Sequence, residues 1–389
     1  MSYARFCSLA LCSLLAACAG SNGSTGPEGP QGPTGAQGPT GPGADAGPGA
    51  AGAVYVMSND ASHNEVWAFA RQVDGSLAAP WAFSTGGAGT GASLADQGAV
   101  FLDAAAKQVF AVNAGSGTVS MFSIQADGSL ALVGAPVDAG GVAPISVTEH
   151  GGTVYVLDAG DAGNAPAVAG FTAGASGLVP NQVSLALSTA SASSAAAAQI
   201  AFSPDGAHLV VTEKGTSMID TYEVDASGVA TGPHSQLAAG GAGATPYGFA
   251  FDDSTLLVTE AAGAVSAYTI GATGELTTTS SSVSTHQAAP CWMAAGGGWG
   301  WAINAGSDSI TGYSVLGNGT IALTAASGVA AGTANKPLDA ALSADGQFLY
   351  VLDAIDRAIS IYAVQADGSL VRQPDFLGLP ATAEGLAAN

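Results

Sequence analysis

One phrase of about ten residues occurs seven times along the chain, and it constrains the fold more than any other feature. Each copy opens on a β-branched residue, with an aromatic residue three positions later and a glycine nine positions later. The openers are Val66, Val119, Val168, Ile219, Val265, Ile310 and Ile359. Their spacing of 45 to 53 residues indicates a repeat architecture, because insertions fall between the copies and never inside them.

Each copy of the phrase predicts two strands joined by a tight turn. β-branched and aromatic residues favour strands, and the glycine supplies the positive φ that a tight hairpin requires. A second apolar run precedes the phrase, as in VYVLDAGD, and a further short strand precedes several of these runs, as in QIAFSPDG. Four short strands in about 48 residues is the length of a propeller blade. We therefore predict an all-β fold, a seven-bladed β-propeller with four-stranded blades, over residues 54–389.

The aromatic position of the repeat is interpreted as packing between neighbouring blades. Its members are Phe69, Phe122, Phe171, Tyr222, Tyr268, Tyr313 and Tyr362. Burial of large rings between stacked sheets supplies adhesion, so this interpretation is favoured over a ligand cage.

The charge of the chain disfavours two classes of partner. The formal net charge is −22, and the whole sequence contains seven Lys and Arg residues. Nucleic acids and anionic membrane surfaces repel such a protein, so neither is an expected partner.

The first residues predict export from the cytoplasm. Residues 1–17 form a signal peptide with one cation, Arg5, and an apolar stretch too short for a permanent membrane span. The segment LAAC, ending at Cys18, resembles the bacterial lipobox, whose cysteine becomes a lipid anchor; an ordinary signal peptide with a chance cysteine is the alternative. Ala19 follows Cys18, and by resemblance to outer-membrane lipoproteins this favours the outer membrane, on its periplasmic or its cell-surface face.

Residues 18–53 predict a linker between the anchor and the propeller. Glycine recurs at every third position of GPEGPQGPTGAQGPTGP, which resembles bacterial collagen-like segments. A semi-rigid polyproline II stalk on a monomer is one interpretation, and a short triple helix that makes the protein a trimer is the other.

The order of the motifs resembles the lactonase family of seven-bladed propellers, which includes bacterial 6-phosphogluconolactonase and the fungal carboxymuconate-cyclising enzyme. The resemblance covers residues 54–389. It is carried by FSPDGAHLVVTE at 202–213, by the hairpins of the repeat, and by a start in mid-blade at VYVMSND. It implies that the C-terminal segment LPATAEGLAAN supplies the innermost strand of the first blade and closes the ring.

The resemblance also implies an active site at the mouth of the central channel, where basic residues hold anionic lactones. At the corresponding positions this chain has Ala198, Tyr247, Gly248, Ala305 and Leu338. Glu260 matches the family's acid and is the candidate catalytic residue. Because none of the matched positions is basic, activity on phosphorylated or carboxylated lactones is not expected. Tyr247 is a candidate ligand-binding residue.

Acids and amides end the second strand of most repeats and form a second group of candidates. They are Asn113, Asp158, Glu213, Glu260, Asn304 and Asp353. Their oxygens could bind Ca²⁺ at the channel mouth, or they could be polar caps for loop amides, which we favour because each blade offers one. The loop with Asp158, Asp161 and Asn164 is a weaker candidate for oxygen ligands. No other cofactor is expected.

Three functions remain open from the sequence. The favoured one is a binding or scaffold module for a protein or a small neutral ligand, descended from a lactonase. The alternative is an active hydrolase of neutral lactones or sugars with Glu260 as acid or base. The third is a cation-dependent module that uses the acidic mouth.

Overall fold

The structure is a computed structural model that describes residues 50–389. The predictions for the signal peptide, for Cys18 and for most of the glycine-rich linker lie outside these residues. The first strand begins at Ala50, ahead of the predicted propeller start at residue 54.

Over residues 50–389 the strands form seven antiparallel sheets, which we number as blades 1 to 7. Blade 1 contains β1 (Ala50–Met57), β2 (Glu65–Gln72), β3 (Trp81–Ser84) and the C-terminal β30 (Glu384–Ala388). Blade 2 contains β4 (Val100–Asp103), β5 (Gln108–Asn113), β6 (Thr118–Ile124), β7 (Leu130–Leu132) and β8 (Val137–Asp138). Blade 3 contains β9 (Pro144–His150), β10 (Thr153–Asp158), β11 (Ala167–Gly174) and β12 (Gly177–Ala186).

One short helix, α1 (Ala192–Ala195), leads into blade 4. Blade 4 contains β13 (Ala197–Phe202), β14 (His208–Glu213), β15 (Met218–Val224) and β16 (Ala230–Leu237). Blade 5 contains β17 (Pro246–Asp252), β18 (Thr255–Glu260), β19 (Ala264–Ile270) and β20 (Leu276–Ser284). Blade 6 contains β21 (Pro290–Gly296), β22 (Trp299–Asn304), β23 (Ser309–Val315), β24 (Ile321–Leu323) and β25 (Ala331–Gly332). Blade 7 contains β26 (Pro337–Leu342), β27 (Phe348–Asp353), β28 (Ala358–Val364) and β29 (Leu370–Leu377).

The innermost strands of the blades form a closed ring around a central channel. Each of β4, β9, β13, β17, β21, β26 and β30 contacts the next, and β30 contacts β4. The ring closes in blade 1, where β30 pairs with β1 and Leu386 lies opposite Val56. The predicted seven-bladed propeller, with its ring closed by the C-terminal strand, is confirmed.

The glycine of the repeat is required both by the conformation of its own turn and by the packing of the neighbouring blade. Gly75 has a φ of +84°, and its carbonyl accepts a 2.9 Å hydrogen bond from Tyr350 Oη of blade 7. A Cβ at Gly75 would lie 2.2 Å from the Phe348 ring, so no side chain fits there. The turn chemistry and the close approach of the preceding blade therefore demand the same residue.

The aromatic position of the repeat joins consecutive blades, as predicted. Its side chains are at most 1% exposed, Phe122 among them. Tyr362 Oη donates to Gly332 O of the preceding blade at 2.6 Å, and Tyr313 Oη donates to Val283 O at 3.0 Å. The ring supplies buried area while the hydroxyl finds a partner in the preceding blade.

The two ends of the channel are distinguished by the strand termini that lie there. At one end the innermost strand begins and the second strand ends, as where Ala197 pairs with Glu213. We call this end the mouth. In blade 1, Met57 pairs with Glu384 at the mouth, so β1 enters the propeller from the opposite end at Ala50. Within the described chain, no helix is long and apolar enough to cross a membrane.

Candidate functional site

All six polar residues that end second strands lie at the mouth end and are buried. Their side chains are at most 1% exposed. Each pairs with the start of the third strand, so its side chain lies above the residue two positions further along that strand. Within residues 50–389 none of the six bonds to another, and no group of three His, Cys, Asp or Glu side chains is arranged to hold a metal ion.

The carboxylate of Glu260 is occupied by hydrogen bonds. Its Oε1 accepts from the main-chain N–H of Gly240 at 2.9 Å and from Ser266 Oγ at 2.7 Å. Its Oε2 accepts from Ser282 Oγ. Gly240 belongs to the loop that arrives from blade 4, so Glu260 ties that loop to the third and fourth strands of blade 5.

Glu213 makes the same connection one blade earlier. Its Oε1 accepts from Ser188 Oγ at 3.0 Å and from the main-chain N–H of Thr189 at 3.1 Å, both in the loop that arrives from blade 3. Thr216 Oγ1 donates to the other oxygen. These contacts match the polar-cap interpretation of the residues that end second strands.

The two amides of this group are held by hydroxyls of the third strand. Asn113 Nδ2 donates to Ser120 Oγ at 2.8 Å, and its Oδ1 accepts from Asn64 Nδ2 of blade 1 at 2.9 Å. Asn304 Nδ2 donates to Thr311 Oγ1 at 3.0 Å. Both amides are thus held by the third strand of their own blade, and Asn113 is also bonded to blade 1.

Asp158 has no hydrogen-bond partner for either carboxylate oxygen within residues 50–389, whereas the Asp353 carboxylate lies beside the Ser360 hydroxyl. In blade 3 the cause is visible in the register: Asp158 pairs with Ala167, and the position two residues further is Ala169, which has no hydroxyl. Burial raises the pKa of Asp158 to about 8, and that of Asp353 to about 7.

The loop that follows Asp158 uses its polar groups locally. Asp161 is exposed, and its Oδ1 accepts from the main-chain N–H groups of Gly163 and Asn164 at 2.7 and 2.9 Å. Asn164 Nδ2 donates to the same oxygen at 2.8 Å. Asp161 and Asn164 thus cap one turn at the surface, while Asp158 is buried.

The mouth of the channel is crossed by residues 93–98, which we call the channel plug. The plug precedes β4 of blade 2 and is bonded to blade 6. Trp292 Nε1 donates to Asp96 O at 2.7 Å. The carboxamide of Gln97 donates to Met293 O at 2.7 Å and accepts from Met293 N–H at 3.1 Å. The plug therefore reaches from one side of the ring to the other.

Other blades hold the plug as well. Lys214 Nζ, of blade 4, donates to Ala95 O, and Ser146 Oγ, of blade 3, donates to Gln97 O at 2.7 Å. The carboxylate of Glu384, in blade 1, lies against Ser93 and Leu94 of the plug. The segment is thus fixed from several directions around the ring.

The plug also covers positions where the chain departs from the resembled family. The main-chain N–H of Gln97 donates to Ala198 O at 3.1 Å. A Cβ at Gly248 would lie 2.1 Å from Gln97 Oε1, so a glycine there leaves room for the plug. Tyr247 lies at the mouth, with its ring 4.5 Å from Lys214 Nζ and 5.4 Å from the Trp292 ring.

A cluster of ionisable side chains lies around the plug. Among the described residues it comprises the carboxyls of Asp96, Asp339 and Glu384 and the ammonium of Lys214. Burial raises the pKa of Asp96 well above its usual range, and the charges of Glu384 and Asp339 add to the rise. Burial lowers the pKa of Lys214 to about 8 although Asp96 opposes that shift. Burial also raises the pKa of Glu384 to about 7.

Two polar atoms, one in this cluster and one beside it, have no hydrogen-bond partner in the part of the chain that the structure describes. They are Asp96 Oδ2 and Tyr247 Oη, on side chains that are 3% and 1% exposed. Sequence reasoning singled out Tyr247 but neither the plug nor Lys214. The sequence offered only a slight signal for either one. The plug corresponds to SLADQ, an apolar and acidic segment within a glycine-rich stretch, and Lys214 directly follows a second strand.

A family model described as lactonase, seven-bladed β-propeller, matches residues 84–381. The chain is similar to the solved structure of a candidate 6-phosphogluconolactonase from Bacteroides fragilis, with 16% identity, a TM-score of 0.67, and coverage of 87% of this chain and 98% of the other. It is similar to the periplasmic gluconolactonase of Pseudomonas aeruginosa, with 16% identity, a TM-score of 0.63 and the same coverage of both chains. No curated protein matches the chain by sequence. At these identities the solved structures show a shared fold alone.

Proposed function

This chain belongs to the lactonase family of seven-bladed β-propellers, and we propose that within this family it is a binding or scaffold module rather than a lactone hydrolase. The channel plug carries the proposal. A lactone must reach the mouth of the channel to be hydrolysed there, and in this chain residues 93–98 occupy the mouth with bonds to blades 3, 4 and 6. While the plug is in place, the chain itself therefore blocks substrate access.

The residues of the mouth support the same proposal. Ala198 and Gly248 stand where the resemblance implies residues that bind the substrate, and both contact Gln97 of the plug. Lys214 is the one cation bonded to the plug within residues 50–389, and its ammonium is engaged with Ala95 O. An anionic substrate would have to displace that bond in a cluster already rich in carboxyls.

Glu260 is proposed to be structural. A general acid or base must reach the reacting group, whereas this carboxylate is 1% exposed and accepts three hydrogen bonds from its own blade and the incoming loop. Its replacement would weaken the attachment of that loop.

We propose further that the module is an outer-membrane lipoprotein anchored through Cys18. Because β1 begins at the end of the propeller opposite the mouth, a tether that precedes it leaves the mouth facing away from the membrane. The net charge of −22 favours a neutral or cationic ligand or protein partner.

Lactone hydrolysis tests the proposed function. The full-length chain is assayed on 6-phosphogluconolactone and on a panel of neutral lactones, beside Glu260→Gln. We expect turnover no faster than the buffer background for both proteins. Glu260→Gln should melt at a lower temperature, because an amide nitrogen cannot accept the hydrogen bonds that one carboxylate oxygen now accepts.

The matched control is Glu275→Gln, which changes an exposed glutamate of the same blade. Turnover that is lost in Glu260→Gln and kept in Glu275→Gln would overturn the proposal and establish the alternative, a hydrolase of neutral lactones with Glu260 as acid or base.

A further inference from the structure

The channel plug is held by contacts that recognise a peptide. Lys214 and Trp292 each donate to a main-chain carbonyl, of Ala95 and of Asp96, which any peptide offers. Ser146 donates to a third carbonyl, that of Gln97. These contacts do not depend on the plug's side chains, so a different peptide in the same path could make them.

One contact selects a side chain. The carboxamide of Gln97 is bound at both of its ends by the main chain of Met293, at 2.7 and 3.1 Å. Gly248 leaves the space that this carboxamide fills. A carboxylate could not donate to Met293 O, and a shorter side chain would not reach it.

The fit of the plug is incomplete. Asp96 Oδ2 and Tyr247 Oη are buried without a partner among residues 50–389, which is costly for polar atoms. Ala95 has a φ of +54°, a conformation unfavourable for a residue other than glycine. The Asp96 carboxyl is also placed beside those of Asp339 and Glu384. A peptide free of these penalties would bind better than the plug.

We propose that the mouth of the channel is a binding site for an extended peptide that carries a glutamine side chain, and that the channel plug occupies this site as an internal ligand. The inference rests on the proposed function and names the ligand class of the binding module. A partner protein would dock by inserting such a peptide while the plug swings out.

Peptide binding in trans tests this inference. A tethered segment has an effective concentration in the millimolar range, so the plug must first be weakened. The probe is a fluorescent peptide of the plug sequence, Ser-Leu-Ala-Asp-Gln-Gly, and its polarisation is measured with the full-length wild type and with Gln97→Ala. We expect Gln97→Ala to bind it at least tenfold more tightly than the wild type.

Two controls separate recognition from nonspecific association. A peptide with alanine in place of its glutamine should bind Gln97→Ala at least tenfold more weakly. The double variant Gln97→Ala, Lys214→Met should also lose at least tenfold, because the donor to a peptide carbonyl is gone. Equal binding of both peptides, or no binding up to millimolar concentration by a folded Gln97→Ala, overturns the inference.

Hydrogen exchange of the wild type decides the case if Gln97→Ala does not fold. The amide of Gln97 should then exchange at least 100-fold faster than that of Val211 in β14, because the plug opens without unfolding the blades. Equal rates would mean that the plug is a fixed structural element, and would overturn the inference. Lactone turnover would refute the proposed function, whereas missing peptide binding in a chain without turnover refutes only this inference.

Discussion

The environment of Asp158 shows how one missing hydroxyl changes the chemistry of a residue. Its counterparts in blades 2, 5 and 6 meet Ser120, Ser266 and Thr311 on the third strand. Asp158 meets Ala169 instead, so its carboxyl is buried without a partner in the described chain. Burial then favours the protonated form, which needs no counter-charge.

This raised pKa predicts how stability depends on pH. The folded chain holds the proton of Asp158 up to about pH 8, whereas an unfolded chain releases it near pH 4. The contribution of Asp158 to the free energy of unfolding is therefore fully present below about pH 4 and is lost as the pH rises through about 8. The Asp158→Asn variant has no ionisable group at this position. Between pH 5 and pH 9, the melting temperature of the wild type should therefore fall by about 2 °C or more beyond the fall of the variant.

Asp161→Asn is the matched control, because Asp161 lies in the following loop, is exposed and has a lowered pKa owing to its hydrogen bonds with Gly163 and Asn164. Between pH 5 and pH 9, the melting temperature of Asp161→Asn should fall by the same amount as that of the wild type. If Asp158→Asn loses as much as the wild type, Asp158 does not titrate in this range and the explanation is wrong.

At the scale of the strand and the hairpin, the repeat explains most of the structure. The hairpin glycines and the aromatic positions were predicted from the sequence because their chemistry is local and recurs in every blade. The direction of the second-strand side chains was not predictable, since it depends on strand register. The plug was not predictable either, because it occurs once and its bonds join residues as far apart as Gln97 and Met293.

The hairpin glycine of blade 1 allows a test at this scale. Gly75→Ala places a Cβ 2.2 Å from the Phe348 ring, whereas Gly151→Ala meets no heavy atom of the described chain within 4 Å. Both have positive φ, so both should lose about 1 kcal/mol of unfolding free energy from backbone strain. Gly75→Ala should lose about 1 to 3 kcal/mol more, from overpacking against blade 7. Equal losses in urea unfolding would contradict the close packing of hairpin and neighbouring blade.

At the scale of the whole molecule, residues 50–389 form a ring that is closed at two places. The C-terminal strand β30 completes blade 1, and the plug joins blade 2 to blades 3, 4 and 6 across the mouth. The first closure was predicted from the resemblance of the C-terminal segment to its family. The second changes the functional conclusion, because it places main chain where the resemblance implies a substrate.

The reactivity of Lys214 tests the closed mouth most directly. The chain has three lysines, Lys107, Lys214 and Lys336, and Lys107 is exposed. An amine-reactive reagent is added to the folded full-length chain, and the modification of each lysine is followed by mass spectrometry. Lys214 should react at least tenfold more slowly than Lys107, because the plug covers it. If the mouth were open, Lys214 would be in contact with water and would react about as fast as Lys107, and that result would contradict the account.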